Sequence, residues 1–294
     1  MAYTTNNATA SHYGLHEVYQ DLKDKIDECI PTEIYMHEGD SSNQNKLFRC
    51  LGDGGSKRAF KLDEERVLLL PNMDADPIGD IAERWERIVE EELKITKQLA
   101  SLGILSPLSE KVTISPSKDQ TKGTIPAYIS KSFNSFAKSD TFIIDRKNRR
   151  SSTWKEGRTL FKEDENRLDK EKWDRMTAPM LDDLVKIFAH GLPTSHDSLN
   201  IAVVQTEETG SISHEIKIFG FDFTDKHSPL ALASEGRTVQ RSHVRQVVEG
   251  LLTTLFCYEF EWSFPYGERS REPAIFIKEL VEDYTDKIIR QLKS

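Results

Sequence analysis

The spacing of apolar residues changes several times along this chain. The clearest pattern lies in residues 76–104, where the apolar residues recur at intervals of three, four or seven: Trp85, Ile88, Ile95, Leu99 and Leu102. Such spacing places apolar side chains on one face of a helix. The pattern therefore predicts one long amphipathic helix in the first half of the chain.

Short runs typical of strands stand on both sides of this helix. Residues 46–71 contain three such runs, separated first by a glycine-rich loop and then by a charged turn. Residues 111–117 and 124–133 form two more, with a polar turn between them. Runs of this length bounded by Gly, Asp and Ser are characteristic of β-strands. The predicted order is strand, glycine-rich loop, strand, strand, helix, strand, strand.

The second half has mostly helical periodicity. Helices are expected over residues 172–192, 242–260 and 274–293, and a β-hairpin over 200–223. The fold class predicted from this order is α+β, with a β-rich N-terminal lobe containing one helix and an α-rich C-terminal lobe. The expected organisation is a polar, partly helical extension (1–45), an N-lobe (46–135), a basic and charged connector (136–170) and a C-lobe (171–294).

Composition restricts the classes of partner. With 294 residues and a net charge of −9, the chain is long enough for a substantial core and is not suited to binding nucleic acid. We expect no integral membrane segment, because no apolar run approaches about 20 residues, and no signal peptide in the polar N-terminus. Three scattered cysteines, Cys29, Cys50 and Cys257, favour a reducing compartment and argue against a structural zinc site.

One basic cluster stands out from the acidic background. Residues 145–158 include Arg146, Lys147, Arg149 and Arg150. A solvated loop is the simpler interpretation of such a charge run. The alternative is a site for a phosphate-rich ligand, since clustered Lys and Arg side chains bind phosphate oxygens strongly.

The glycine-rich loop is the first candidate for chemistry. Its residues are Gly52, Asp53, Gly54, Gly55 and Ser56, and Lys57 closes it. Glycines allow backbone amides to approach a phosphate without steric hindrance. Lys57 adds a mobile cation, although most glycine-rich turns are ordinary hairpins.

Glu92 is the second candidate, because it lies on the apolar stripe of the predicted helix. A carboxylate on a buried stripe is costly unless it meets a cation. We expect Glu92 either to lie at a solvent-exposed edge of the apolar stripe or to pair with a lysine from the neighbouring sheet. Glu91 is the substitute if the register of the helix differs by one residue.

The third candidate is the polar loop "GLPTSHDSLN" (191–200) with the hairpin that follows it. Asn200 stands at the entrance of one arm of the hairpin and Asp222 at the exit of the other. A hairpin brings its ends together, and oxygen ligands of this kind suit Mg²⁺ bound with nucleotide phosphates. Asp197 precedes them on the loop. Any one of these residues alone is more commonly a turn cap.

Motifs of other enzyme classes are absent from the sequence. It contains no HExxH, GxSxG or GxxxxGK[ST] motif. Its histidines are dispersed, and we expect His190 to make structural hydrogen bonds.

Taken in order, these segments resemble the protein-kinase-like fold, over roughly residues 46–260. That family combines a glycine-rich hairpin, a helix with a glutamate, a catalytic loop that ends in Asn, and a hairpin that leads to a metal-binding Asp. The corresponding segments here are Gly52/Gly54, Glu92, "HDSLN" (196–200) and "FDFTD" (221–225). The "HG" at 190–191 is similar to the catalytic loop of aminoglycoside and choline phosphotransferases.

Three features depart from the family pattern. The third strand, residues 66–72, lacks the usual lysine, and Lys57 is its expected replacement, in a "GDGGSK" register similar to that of the with-no-lysine kinases. Ser195 occupies the usual position of the base, five residues before Asn200, and Asp197 lies only three residues before it. "DFT" replaces "DFG", and no APE-like segment follows.

The resemblance implies a Mg-ATP-dependent kinase that phosphorylates a protein. Lys57 and the loop amides would bind ATP, Glu92 would orient Lys57, Asn200 and Asp222 would bind Mg²⁺, and Asp197 would be the base. Such departures are typical of atypical bacterial kinases, including effectors secreted into a host cytosol, so a soluble, cytoplasmic or secreted protein is expected. The alternatives are a pseudokinase, AMP transfer, and phosphorylation of a small molecule. The basic cluster suggests an inositol polyphosphate or phosphoinositide regulator.

Overall fold

The computed structural model describes residues 32–38, 41–47, 50–53, 57–72, 80–107, 109–115, 118, 124–137, 141–144, 160–161, 165–192, 194, 199–208, 211–220, 239–260 and 271–294. The chain divides into two compact units. The first unit comprises residues 1–96 and 107–135, and the second comprises residues 97–106 and 136–294.

The first unit is built on a seven-stranded antiparallel sheet with the order β2-β1-β6-β7-β5-β4-β3. Strand β7 lies at its centre, and most of its side chains are buried. The strands are β1 (Thr32–Glu38), β2 (Ser41–Leu47), β3 (Cys50–Asp53), β4 (Lys57–Lys61), β5 (Arg66–Pro71), β6 (Ser109–Ser115) and β7 (Ile125–Lys131).

Helix α1 (Asp80–Ser101) supplies the helical part of the first unit's core. Its residues Trp85, Ile88 and Val89 are buried in one cluster with side chains of the sheet, such as Phe60 and Leu68. These helical positions are three and four residues apart, so they share one face. The spacing of apolar residues in the sequence therefore predicted the face of α1 that is buried.

In its described residues, the second unit combines three long helices with a three-stranded antiparallel sheet of order β10-β9-β8. A short helix, α2 (Phe133–Ala137), spans the boundary between the two units in the chain. An aromatic stack, in which the ring centroids of Trp173 and Phe256 are 4.4 Å apart, lies in the helical core. The other elements of this unit are β8 (Thr141–Ile144), α3 (Lys170–Ala189), β9 (Leu199–Glu208), β10 (Ser211–Gly220), α4 (Arg241–Glu259) and α5 (Arg271–Gln291).

The architecture is α+β, as predicted. One long helix lies in the described residues of the sheet-rich unit, and the other unit is rich in helices. The order of strands and helices over residues 50–131 also agrees with the prediction. The helical pattern at residues 15–30 lies outside the described residues. Among the helices that the structure describes, none is long and apolar enough to cross a membrane.

The boundaries differ from the predicted ones at two places. The extension expected over residues 1–45 contains β1 and most of β2, which pair with each other, and β1 also pairs with β6 in the large sheet. The expected connector of residues 136–170 contains strand β8, which pairs with β9. Strands β1 and β8 each pair with a strand that is distant in the sequence, and such pairing is not visible in the local pattern.

Candidate functional site

Lys57 and Glu92 form a buried ion pair in the first unit. Lys57 Nζ donates a hydrogen bond to Glu92 Oε1, and the side chains are 10% and 7% exposed. Lys57 is the first residue of β4, and Glu92 lies in the middle of α1. The expected contact between Glu92 and a lysine of the sheet is therefore present. At this burial each charge is stabilised by the other, because an isolated one would be very costly.

The register of α1 excludes the substitute residue. The side chain of Glu91 is 56% exposed, and its carboxylate lies 4.0 Å from Arg87 on the same helix. Glu92, one position later, belongs to the buried stripe together with Trp85 and Ile88. Among these two neighbouring glutamates, only Glu92 is positioned to meet the sheet.

Tyr128 of β7 is the third member of this group. Its hydroxyl donates a hydrogen bond of 2.6 Å to Glu92 Oε2, and Lys57 Nζ lies 5.9 Å from the centroid of its ring. Burial, reinforced by the negative charge of Glu92, raises the pKa of the Tyr128 phenol well above its ordinary value. The phenol consequently keeps its proton and acts as a donor to the carboxylate.

Strand pairing explains how the sheet brings Lys57 and Tyr128 to the same face. Leu69 of β5 is paired with Ala59 on one side and with Tyr128 on the other. Residues directly paired across strands share a face, and residues two apart on one strand do also. Lys57, two residues before Ala59, therefore lies on the face that carries Tyr128.

Trp85 supports the group from the helix. Its indole Nε1 donates a hydrogen bond of 2.6 Å to the carbonyl oxygen of Pro126, and its ring stacks on that of Tyr128 at 6.0 Å. Trp85 and Glu92 are seven residues, or about two helical turns, apart. Helix α1 therefore forms hydrogen bonds with β7 at two positions, through Trp85 and through Glu92.

The remaining residues of the glycine-rich loop are only partly described. Gly52 pairs with Ala59 and Asp53 with Arg58 in the hairpin β3–β4, and the register shifts between Cys50 and Gly52. Gly54, Gly55 and Ser56 lie outside the described residues. The loop therefore leads directly into Lys57 at the start of β4.

Strand β5 carries no lysine, as the sequence shows. Its residues Leu68 and Leu70 are buried in the core, and Pro71 pairs with Lys57. The lysine of this sheet that reaches Glu92 consequently comes from the adjacent strand, β4.

In the second unit, Gly191 ends helix α3 and starts the polar loop. Gly191 has a φ of 60°, a conformation that glycine adopts without strain. The amide of Leu192 donates to the Ile187 carbonyl at 3.1 Å, and that of Gly191 to the Phe188 carbonyl at 3.2 Å. This is the Schellman arrangement of a helix C-terminus. The "HG" pair therefore has a structural role, and His190 contributes a 2.8 Å contact from Nδ1 to the Lys186 carbonyl.

Asn200 lies on β9, the central strand of the small sheet. It is 4% exposed and paired with Phe219, while Leu199 pairs with Gly220 at the end of β10. The predicted hairpin is therefore present, and Asn200 is at its entrance. Asp222 follows Gly220 by two residues and lies outside the described residues, as do Asp197 and Ser195.

The C-terminal end of β10 makes two hydrogen bonds that could not be predicted from the sequence. The amide of Gly220 donates to the Leu105 carbonyl at 2.9 Å, and the amide of Ile218 donates to Asp183 Oδ2 of α3 at 3.2 Å. Burial raises the pKa of the Asp183 carboxyl above its ordinary value. The only sign of this role in the sequence is an aspartate on the apolar face of a helix.

The basic cluster, including Arg146, Lys147, Arg149 and Arg150, lies outside the described residues. The described chain resumes at Leu160, whose amide donates a hydrogen bond of 2.6 Å to Glu259 Oε2 of α4. Within the described part of the chain, no group of three or more His, Cys, Asp or Glu side chains is arranged to hold a metal ion.

Comparison of this chain with protein-family models, with curated proteins and with solved structures finds no match.

Proposed function

We propose that this chain is a Mg-ATP-dependent phosphotransferase, an atypical protein kinase that transfers the γ-phosphoryl group of ATP to a Ser, Thr or Tyr hydroxyl. The buried pair of Lys57 and Glu92 carries the proposal. A cation oriented by a helical carboxylate, directly after a glycine-rich loop, is suited to binding phosphate oxygens. The α+β architecture is compatible with a protein-kinase-like fold.

Each site residue has a defined role in this proposal. The backbone amides of residues 53–56 and the Lys57 ammonium would bind the phosphates of ATP, and Glu92 would orient Lys57. Asn200 and Asp222 provide oxygen ligands of the type that Mg²⁺ prefers. Asp197 would accept the proton of the attacking hydroxyl. The bound Mg²⁺ would neutralise charge on the phosphates.

Transfer of label from ATP tests the proposal. Purified protein is incubated with γ-labelled ATP and Mg²⁺, alone and with a cell lysate, and compared with Asp222→Ala. Wild type is expected to transfer at least about tenfold more label, because Asp222 is the proposed carboxylate ligand of the metal. Asp182→Ala is the control, since Asp182 is exposed on α3. Equal labelling by wild type and Asp222→Ala would show that the proposal is wrong.

A nucleotide-binding module without transfer is the second candidate. The apolar strand β5 and Ser195 at the usual position of the base favour it. In that case Mg-ATP should raise the melting temperature of wild type but not of Lys57→Met, and no label should be transferred. Intact mass spectrometry separates the further alternatives, because phosphoryl and AMP adducts differ in mass and a phosphorylated small molecule leaves the protein unmodified.

A further inference from the structure

Glu92 is held through both of its carboxylate oxygens. Lys57 Nζ donates to Oε1, and the hydroxyl of Tyr128 donates to Oε2 at 2.6 Å. Glu92 is 5% exposed and Tyr128 is 2% exposed, so both hydrogen bonds are shielded from water. A carboxylate that accepts hydrogen bonds at both oxygens is held in one orientation. The orientation of the Glu92 carboxylate in turn determines where the Lys57 ammonium lies.

Tyr128 also interacts with the lysine. Lys57 Nζ lies over the Tyr128 ring, 5.9 Å from its centroid, a distance at which a cation is attracted to an aromatic ring. One side chain of the central strand thus interacts with both members of the ion pair. Phenylalanine would keep the ring and its packing on Trp85 but would lose the hydrogen bond to Glu92.

We propose that Tyr128 is a positioning residue for Lys57, acting through Glu92. The proposal rests on the proposed function in one respect, that Lys57 is the cation that binds phosphate. Without the Tyr128 hydroxyl, the Glu92 carboxylate can rotate about its last side-chain bond. The Lys57 ammonium that it binds is then no longer held in one orientation. A lysine that holds phosphate equally in substrate and transition state affects KM rather than kcat. Tyr128→Phe should therefore raise KM for ATP about threefold to tenfold with a smaller change in kcat.

Labelling of Lys57 tests the positioning role independently of activity. Wild type, Tyr128→Phe, Glu92→Gln and the double variant are treated briefly with an amine-reactive ester, and modification of Lys57 is quantified by peptide mass spectrometry. We expect the labelling rate to rise about threefold in Tyr128→Phe and further in Glu92→Gln. The double variant should match Glu92→Gln, since Tyr128 acts through Glu92 and the effects of coupled residues are not additive.

Tyr284→Phe is the matched control for lost stability. Tyr284 is a fully buried tyrosine of the second unit whose hydroxyl accepts a hydrogen bond of 2.8 Å from Thr177 Oγ1. This variant also loses a buried phenolic hydrogen bond, so its melting temperature should fall by a similar amount. Its Lys57 labelling should remain at the wild-type rate. Equal labelling increases in Tyr284→Phe and Tyr128→Phe would overturn the proposal.

Two further outcomes would also overturn it. One is a wild-type labelling rate in Tyr128→Phe, and the other is an additive increase in the double variant, which would mean that Tyr128 acts by packing alone. If wild type neither binds nor uses ATP, the proposed function fails, but the labelling cycle still decides whether Tyr128 positions Lys57. The two failures are therefore distinguishable.

Discussion

The indole nitrogen of Trp85 donates a hydrogen bond of 2.6 Å to the carbonyl oxygen of Pro126. Pro126 belongs to β7, the central strand of the large sheet, and Trp85 is 1% exposed. This bond joins α1 to the sheet two helical turns before Glu92. It contributes to the position at which Glu92 meets Lys57.

Replacing Trp85 by Phe should destabilise the first unit. The Pro126 carbonyl would lose its buried donor, which costs about 1–3 kcal/mol, and the smaller ring would leave a cavity. Urea unfolding followed by circular dichroism measures the loss. Ile88→Val on the same face of α1 is the comparison, with an expected cost of about 0.5–1.5 kcal/mol. A Trp85→Phe protein as stable as wild type would contradict the prediction.

Breaking the buried ion pair should cost more than breaking an exposed one. Lys57→Met leaves the Glu92 carboxylate without its cation, and we expect a loss of about 3–5 kcal/mol in the free energy of unfolding. The variant with both Lys57→Met and Glu92→Leu should recover part of this loss, because no buried charge remains uncompensated. Denaturant titration of the two single variants and the double variant measures the coupling.

An exposed pair of the same unit provides the control. Lys111 Nζ lies 3.0 Å from Glu90 Oε1 and 3.4 Å from Glu86 Oε1, and the three side chains are 38%, 62% and 70% exposed in that order. Lys111→Met should cost less than about 1 kcal/mol, because solvent screens exposed ion pairs. If Lys57→Met and Lys111→Met cost the same, burial does not strengthen the Lys57 pair.

The buried carboxyl of Asp183 predicts a dependence of stability on pH. Burial raises its pKa in the folded state above the ordinary value of 3.8. Its contribution to stability is therefore fully present below about pH 3.8 and is lost as the pH rises through the folded pKa. Each unit of pKa shift corresponds to about 1.4 kcal/mol.

Asp183→Asn keeps an oxygen that can accept from the amide of Ile218 but does not titrate. The stability of wild type relative to this variant should fall as the pH is raised from 4 to 8, as measured by urea unfolding at each pH. A difference that stays constant, or that grows in favour of wild type, would mean that the folded pKa is not raised.

The basic cluster predicts binding of a polyphosphate. Reversing the charge of Lys147, Arg149 and Arg150 to Glu should reduce the affinity for an inositol polyphosphate by at least about tenfold, since charge-assisted hydrogen bonds to phosphate would be lost. Isothermal titration calorimetry measures the change. Replacing the exposed Lys94, Lys97 and Lys278 by Glu alters the net charge equally and is the control. Equal affinities of wild type and the Lys147/Arg149/Arg150 variant would exclude this cluster as the binding site.

The sequence predicted those features that depend on local pattern. The periodicity of α1 predicted its buried face, and the charged residue that interrupts this face directed attention to Glu92. The pairing of β9 with β10 was predicted from two apolar arms separated by polar residues. In each case the signal lies within the element itself, so no knowledge of the tertiary partners was needed.

Features that depend on distant partners could not be predicted in the same way. Strand β1 is held in the large sheet by β6, and Tyr35 of β1 pairs with Ser115, 80 positions later in the chain. Tyr128 has the pattern of an ordinary core residue, and its hydroxyl is satisfied by a carboxylate 36 positions away. Asp183 similarly bonds an amide 35 positions later. These roles follow only from the assembled fold.

Strand β10 is an edge strand of its three-stranded sheet, yet Asp183 and Leu105 already occupy the amides of Ile218 and Gly220. Unoccupied amides along an edge strand can template the addition of a strand from another molecule. We therefore expect Asp183 also to hinder the pairing of two protein molecules through this end of β10. Its loss should favour self-association at high protein concentration.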